Sequence, residues 1–75
     1  MRRPETIEAR YANYFQAGQN AIEFIIDFGQ LYSDETVPFL HTRIITSPTY
    51  AKTLVRLLED SLAQHEAQFG TIGDE

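Results

Sequence analysis

Four side chains that can titrate or carry charge are spaced so that they could share one face of a sheet: Glu23, Asp27, His41 and Arg43. Side chains two or four positions apart on a strand point to the same side. Two carboxylates beside an imidazole could perform general acid–base catalysis. However, such residues commonly form cross-strand ion pairs on a solvated face, and an open sheet has little concavity from which to exclude water. We therefore expect a polar sheet-face cluster in a protein that is not an enzyme and has no catalytic residues.

Other polar residues do not form a pattern typical of a metal or cofactor site. Asp27, His41 and His65 are the available metal donors, but the two His are far apart in the sequence and the chain has no Cys. Ser47-Pro48 could hold an anion at a helix N-terminus, yet an ordinary N-cap explains both residues, because no Gly-rich loop precedes them. We expect neither a metal nor a cofactor.

Size and charge restrict the class of protein. The 75 residues form one small domain at most, and a core of this size without disulfides is usually reinforced by a partner chain. The 6 Lys and Arg against 11 Asp and Glu give a net charge of −5, which makes nucleic acid and anionic lipid unlikely partners. Apolar runs are too short to cross a membrane, and no signal peptide is recognisable. A cytoplasmic protein is expected.

Three strands are predicted from the distribution of aromatic and β-branched residues. The first extends from Arg10 to Ala17 and the second from Ala21 to Phe28, with turn residues 18–20 between them. A polar loop at residues 30–38 leads to a third strand from Phe39 to Thr46. The first two strands should form a hairpin, and the third should complete an antiparallel sheet.

Alternation indicates which side chains of these strands face the core. The core face of the second strand is formed by Ile22, Phe24, Ile26 and Phe28. In the third strand two sets alternate, and the set with Leu40 and Ile44 is favoured as the inward one because it leaves His41 and Arg43 outside. The competing set, which contains His41, Arg43 and Ile45, stays open.

A single long helix should follow the strands. Ser47 can cap it, Pro48 suits its first position, the helical period continues to Phe69, and Gly70 suits the position after its end. The fold class is therefore α+β, with the order β-β-β-α and the helix lying across one sheet face. Residues 9–70 form the single domain, between a flexible arm at residues 1–8 and a flexible tail at residues 71–75.

The apolar arc of this helix is wider than one contact surface requires. It spans roughly 160°, whereas a helix packed on one surface needs a stripe of about 100°. Tyr50, Leu54, Leu57 and Ser61 are the predicted oligomer interface. Basic residues precede acidic ones along the helix, and an antiparallel partner helix would place each basic half beside an acidic half. We expect a homodimer or a multiple of dimers.

Several short motifs, taken in order, resemble a known family. They are Tyr11-Ala12-Asn13, Glu23-Phe24-Ile25-Ile26-Asp27-Phe28-Gly29, His41-Thr42-Arg43-Ile44, Ser47-Pro48 with Ala51-Lys52, Leu54, and Phe69-Gly70. Over roughly residues 10–72 the chain resembles short bacterial and archaeal proteins catalogued as a domain of unknown function. This resemblance implies a small soluble protein with no known activity or cofactor. The order of strands and helix also resembles, more loosely, the core of SecB-type export chaperones.

These observations favour a non-enzymatic, homo-oligomeric protein-interaction module whose partner is a second copy, with another protein as a further partner. Two alternatives stay open. One is a SecB-like chaperone that binds peptide along a sheet edge or in an apolar groove. The other is a small enzyme that uses the polar sheet-face cluster.

Overall fold

In the computed structural model, which describes residues 6–74, three strands precede one helix. The strands are β1 (Tyr14–Gln19), β2 (Phe24–Gln30) and β3 (Phe39–Thr46), and the helix is α1 (Pro48–Phe69). The strands form one antiparallel sheet in the order β1-β2-β3. The predicted α+β fold is therefore confirmed. Residues 1–5 of the predicted arm and residue 75 of the predicted tail lie outside the described residues.

The hairpin between β1 and β2 lies further along the chain than its sequence predicts. The Oδ1 atom of Asn20 accepts hydrogen bonds from the backbone N–H groups of Ile22 and Glu23, both at 2.8 Å. The turn is thus made by the Asn20 side chain, so Gly18 and Gln19 remain in β1, where turn residues were predicted. The predicted start of β2 was also wrong, since Ile22 lies in the turn and is 77% exposed rather than on the core face.

The start of β1 was also predicted too early, since the strand begins at Tyr14. Just before it, the Asn13 side chain makes hydrogen bonds in place of regular backbone pairing. The backbone N–H of Asn13 donates to the carbonyl of Gly29 at 3.0 Å. Its side-chain amide donates to the Leu31 carbonyl at 3.2 Å and accepts from the Leu31 N–H at 2.8 Å. The amide therefore holds the two chain segments together just beyond the end of the regular sheet.

β3 has the predicted bounds, but its register shifts once against β2. Ile44 pairs with Ile26, whereas Leu40 pairs with Gly29, and the register skips His41. Because Ile26 and Gly29 occupy positions on opposite sides of β2, Leu40 and Ile44 do not form the single inward set that was favoured. A Cβ atom at Gly29 would lie 2.3 Å from the Phe39 carbonyl oxygen, so this approach of the strands requires glycine.

The bounds of α1 agree with the prediction because local signals determine both ends. The Ser47 hydroxyl accepts a hydrogen bond from the Tyr50 N–H at 3.2 Å, and Pro48 occupies the first turn. At the other end Gly70 has φ of 95°, a conformation that favours glycine, and its N–H donates to the Glu66 carbonyl at 2.9 Å.

The predicted packing of α1 across its own sheet was wrong. Among the described residues, Ala51 is the one buried hydrophobic residue, and the rest of α1 is exposed. A single residue, Ser47, connects β3 to α1, which leaves no loop for the helix to fold back over a sheet face. The Cα radius of gyration is 14.9 Å, whereas a compact chain of this length has about 11 Å. The helix therefore extends away from the sheet.

Candidate functional site

A row of three polar side chains crosses the sheet at Asp27. The register places Gln16 on β1 and Arg43 on β3 on either side of it. Arg43 donates from Nε to Oδ1 of Asp27 at 2.7 Å and from Nη2 to Oδ2 at 2.9 Å, while Gln16 Nε2 donates to Oδ2 at 3.0 Å. Asp27 is only 4% exposed. The carboxylate thus joins all three strands through charge-assisted hydrogen bonds.

The electrostatics of this row favour a structural role. The Arg43 guanidinium, followed by the Gln16 amide, lowers the pKa of Asp27 from 3.8 to about 2, even though burial alone would raise it. In return, the Asp27 carboxylate raises the pKa of Arg43. A carboxylate that is already bonded through both oxygens and has so low a pKa is a poor general base at neutral pH.

The other two members of the predicted polar sheet-face cluster make no hydrogen bond to this row among the described residues, although His41 lines the same surface depression as Asp27 and Arg43. Glu23 is exposed in the hairpin turn, and its carboxylate makes none of the contacts found among the described residues. The His41 ring nitrogens lie 2.7 Å from the Thr42 hydroxyl and 3.0 Å from the Tyr11 carbonyl oxygen. The register shift beside His41 breaks the alternation that would have aligned it with Arg43. The structure therefore brings together Asp27 and Arg43 and adds Gln16, which could have been found only from the register of β1.

The three residues that could have served as metal donors do not form one group. His65 lies on α1 with its ring centre 4.9 Å from that of Phe69, whereas Asp27 and His41 lie in the sheet. Within residues 6–74 no three His, Asp or Glu side chains are grouped to hold a metal ion. In the same range, no helix combines the length and apolar character that crossing a membrane would require.

An uncovered apolar surface extends along α1. We name it the α1 stripe, and it consists of Tyr50, Leu54, Leu57, Leu58, Ser61, Leu62 and Phe69. Leu57 is 61% exposed and Leu62 is 52% exposed, although leucine side chains on a helix face usually contact a neighbour. All four residues of the predicted oligomer interface, namely Tyr50, Leu54, Leu57 and Ser61, lie within the stripe.

A second, partly exposed apolar surface lies on the sheet, on the side opposite the Asp27 row. We name it the aromatic sheet face, and its members follow from the register: Phe15, Phe24, Ile26, Phe28 and Ile44. The Phe15 and Phe28 rings meet edge to face with centres 5.8 Å apart. Phe15 nevertheless remains 60% exposed. The chain therefore has two apolar surfaces, one on a helix and one on a sheet, that do not cover each other.

The basic residues of α1 also lack ion-pair partners within the described part of the chain. Lys52 and Arg56 lie in its first half, and no ion pair involves them there. The first turn has no acidic residue and the last turn no basic one. This order opposes the helix macrodipole, which acidic residues stabilise at the start and basic residues at the end.

Comparison with known proteins agrees with the family resemblance of the sequence motifs. Residues 2–74 match the model of a family described as protein of unknown function (DUF3467). No match to the chain was found among curated proteins or among solved structures. Because the family model matches nearly the whole chain, this protein is a member of the DUF3467 family.

Proposed function

We propose that this chain is a non-enzymatic protein-interaction module that acts as a homo-oligomer assembled through the α1 stripe. The observation that carries the proposal is the exposure of this stripe along the whole of α1 beyond Ala51. Burying a leucine side chain contributes about 1.5–3 kcal/mol. A chain that leaves several such side chains exposed to water is therefore stabilised when a partner buries them.

The surface area of the chain supports self-association. Its accessible surface is 6913 Å², whereas a compact monomer of 8.6 kDa exposes about 4,700 Å². The excess is about 2,200 Å², and a stable interface buries about 800 Å² per partner. A second copy can therefore supply the cover that this chain lacks. With no Cys, disulfides cannot stabilise so small a core instead.

Extended-peptide binding is a second candidate, favoured by the outer edge of β1, which pairs with no other strand among the described residues. This six-residue strand, YFQAGQ, contains no charged residue and no proline, the two features that usually protect an edge from pairing with another chain. Such an edge suits the addition of a peptide strand. Ala17→Lys should then abolish binding of extended peptides measured by calorimetry, whereas unchanged binding would contradict this candidate.

An enzyme is the least supported alternative. Glu23 lies in the hairpin turn, His41 is hydrogen-bonded to Thr42 and Tyr11 rather than to Asp27, and both Asp27 oxygens already accept hydrogen bonds. Among the described residues, this arrangement gives acid–base catalysis little support.

Light scattering on a size-exclusion column tests the main proposal. We expect the wild type to have a mass of twice 8.6 kDa, or an even multiple. Leu57→Glu and Tyr50→Glu should lower this mass or unfold the protein, because each places a carboxylate in the stripe. Ala63→Glu is the matched control, since a helical period places it on the opposite side of α1. A stable wild-type monomer, or equal effects of all three changes, would contradict the proposal.

A further inference from the structure

We infer that two copies of this chain exchange their helices, so that the α1 stripe of each copy covers the aromatic sheet face of the other. The inference rests on the proposed self-association and names the two surfaces that meet. In this arrangement a second copy of the chain covers both the α1 stripe and the aromatic sheet face.

The connection between β3 and α1 prevents the two surfaces from meeting within one chain. Ser47, the single connecting residue, is extended, with φ of −87° and ψ of 161°, and Pro48 then fixes the direction of the first helical turn. A helix that continues directly from an edge strand in this way projects beyond the sheet. A second copy has no such restriction, because its sheet can approach the stripe freely.

The dimensions and chemistry of the two surfaces match. From Leu54 to Phe69 the stripe extends about 22 Å along α1, and the eight residues of β3 span about 27 Å. The opposite face of the sheet is a poorer partner, because the Asp27–Arg43 ion pair lies at its centre. Apolar leucines would bury an exposed guanidinium there, which costs free energy.

Mutual exchange also closes the assembly. If each helix covers the sheet of the other copy, a two-fold axis relates the two contacts and neither apolar surface is left to recruit a third chain. The width of the apolar arc fits this arrangement. Leu58, Leu62 and Phe69 lie on one side of the arc and can face the partner's sheet, while Tyr50 and Leu57 lie on the other side and can meet their counterparts across the axis.

Engineered cysteines test the exchange, because the chain has none of its own. Chains carrying Leu62→Cys and chains carrying Phe15→Cys are mixed in urea, refolded together and treated with a short thiol-to-thiol cross-linker. We expect a covalent dimer with one chain of each kind, in at least fivefold higher yield than from either variant alone. The control replaces Phe15→Cys by Gln16→Cys, which lies next to it on β1 but on the opposite sheet face.

The outcomes separate the exchange from the proposed self-association. A wild type that light scattering shows to be monomeric would overturn both. A dimeric wild type whose Leu62→Cys chains cross-link mainly to each other would overturn the exchange alone and indicate a helix-to-helix interface. Cross-linking through Gln16→Cys as strong as through Phe15→Cys would also overturn it. Selective cross-linking of Leu62→Cys to Phe15→Cys supports it.

Discussion

Truncation of Leu62 should weaken the dimer by an amount that can be estimated from its exposure. Leu62 is 52% exposed in the single chain, so a partner can bury about half of its side chain. Leu→Ala removes about three carbon atoms, each worth about 0.8 kcal/mol when fully buried. Because only about half of the side chain becomes buried, the loss is about 1.2 kcal/mol for each Leu62. A two-fold dimer contains two such residues, so the loss occurs twice. The dimer should therefore lose about 2–3 kcal/mol.

This loss corresponds to a dimer Kd that is higher by roughly 30- to 150-fold. Sedimentation equilibrium over a concentration series measures it directly. Because alanine has a slightly higher helix propensity than leucine, a weakened helix cannot explain the effect. Leu31→Ala is the matched control, since Leu31 is 38% exposed and lies outside α1. A Leu62→Ala dimer within threefold of the wild-type Kd, or an equal loss with Leu31→Ala, would refute the reasoning.

Three further predictions concern the fold. Asp27 has a lowered folded-state pKa of about 2 against 3.8, so its pairing with Arg43 stabilises the fold fully above pH 3.8 and ceases to do so as the pH falls through 2. Asp27→Asn should therefore reduce stability at neutral pH and flatten the pH dependence of urea unfolding between pH 2 and 4. Ser47→Ala should cost about 1 kcal/mol in urea unfolding, because the α1 N-cap is lost. Gly29→Ala should cost about 1–3 kcal/mol or more, because its Cβ meets the β3 backbone, whereas Gly18→Ala should cost less than about 1 kcal/mol.

Each of these predictions has an outcome that contradicts it. An Asp27→Asn variant whose stability still falls as steeply in acid as the wild type would show that another carboxylate is responsible. If Ser47→Ala lowers the free energy of unfolding no more than Thr49→Ala does, Ser47 does not stabilise α1 as its N-cap. Equal effects at Gly29 and Gly18 would mean that β3 can move away from the added methyl group, since a Cβ atom at Gly18 would meet no other atom within 4 Å.

Elements with strong local signals could be predicted closely from the sequence. Ser47-Pro48 and Gly70 mark the ends of α1 through their own hydrogen bonds and dihedral angles, so both bounds follow from nearest neighbours in the chain. The bounds of β3 were equally predictable, because its β-branched residues follow a proline-containing loop. The order of strands and helix, and with it the α+β fold, required nothing beyond these signals.

The hairpin and the polar cluster were less predictable because they depend on contacts between segments. Asn13 and Asn20 act through side-chain hydrogen bonds to residues that alternation does not identify, so β1 and β2 were placed too early. The register skips one residue, His41, and this skip breaks the alternation that would have placed His41 in line with Arg43. Since each side of a strand repeats every two residues, a single shift moves a side chain to the other face.

The element order, the helix with its caps and the excess of apolar surface on that helix all follow from the amino-acid sequence. The row of Gln16, Asp27 and Arg43, and the failure of α1 to cover its own sheet, became visible only in the folded chain. The physical reason is the range of the interactions. Caps and periodicity act within about one helical turn, whereas strand register and the direction of α1 depend on how distant segments pair and on the rigid Ser47-Pro48 connection.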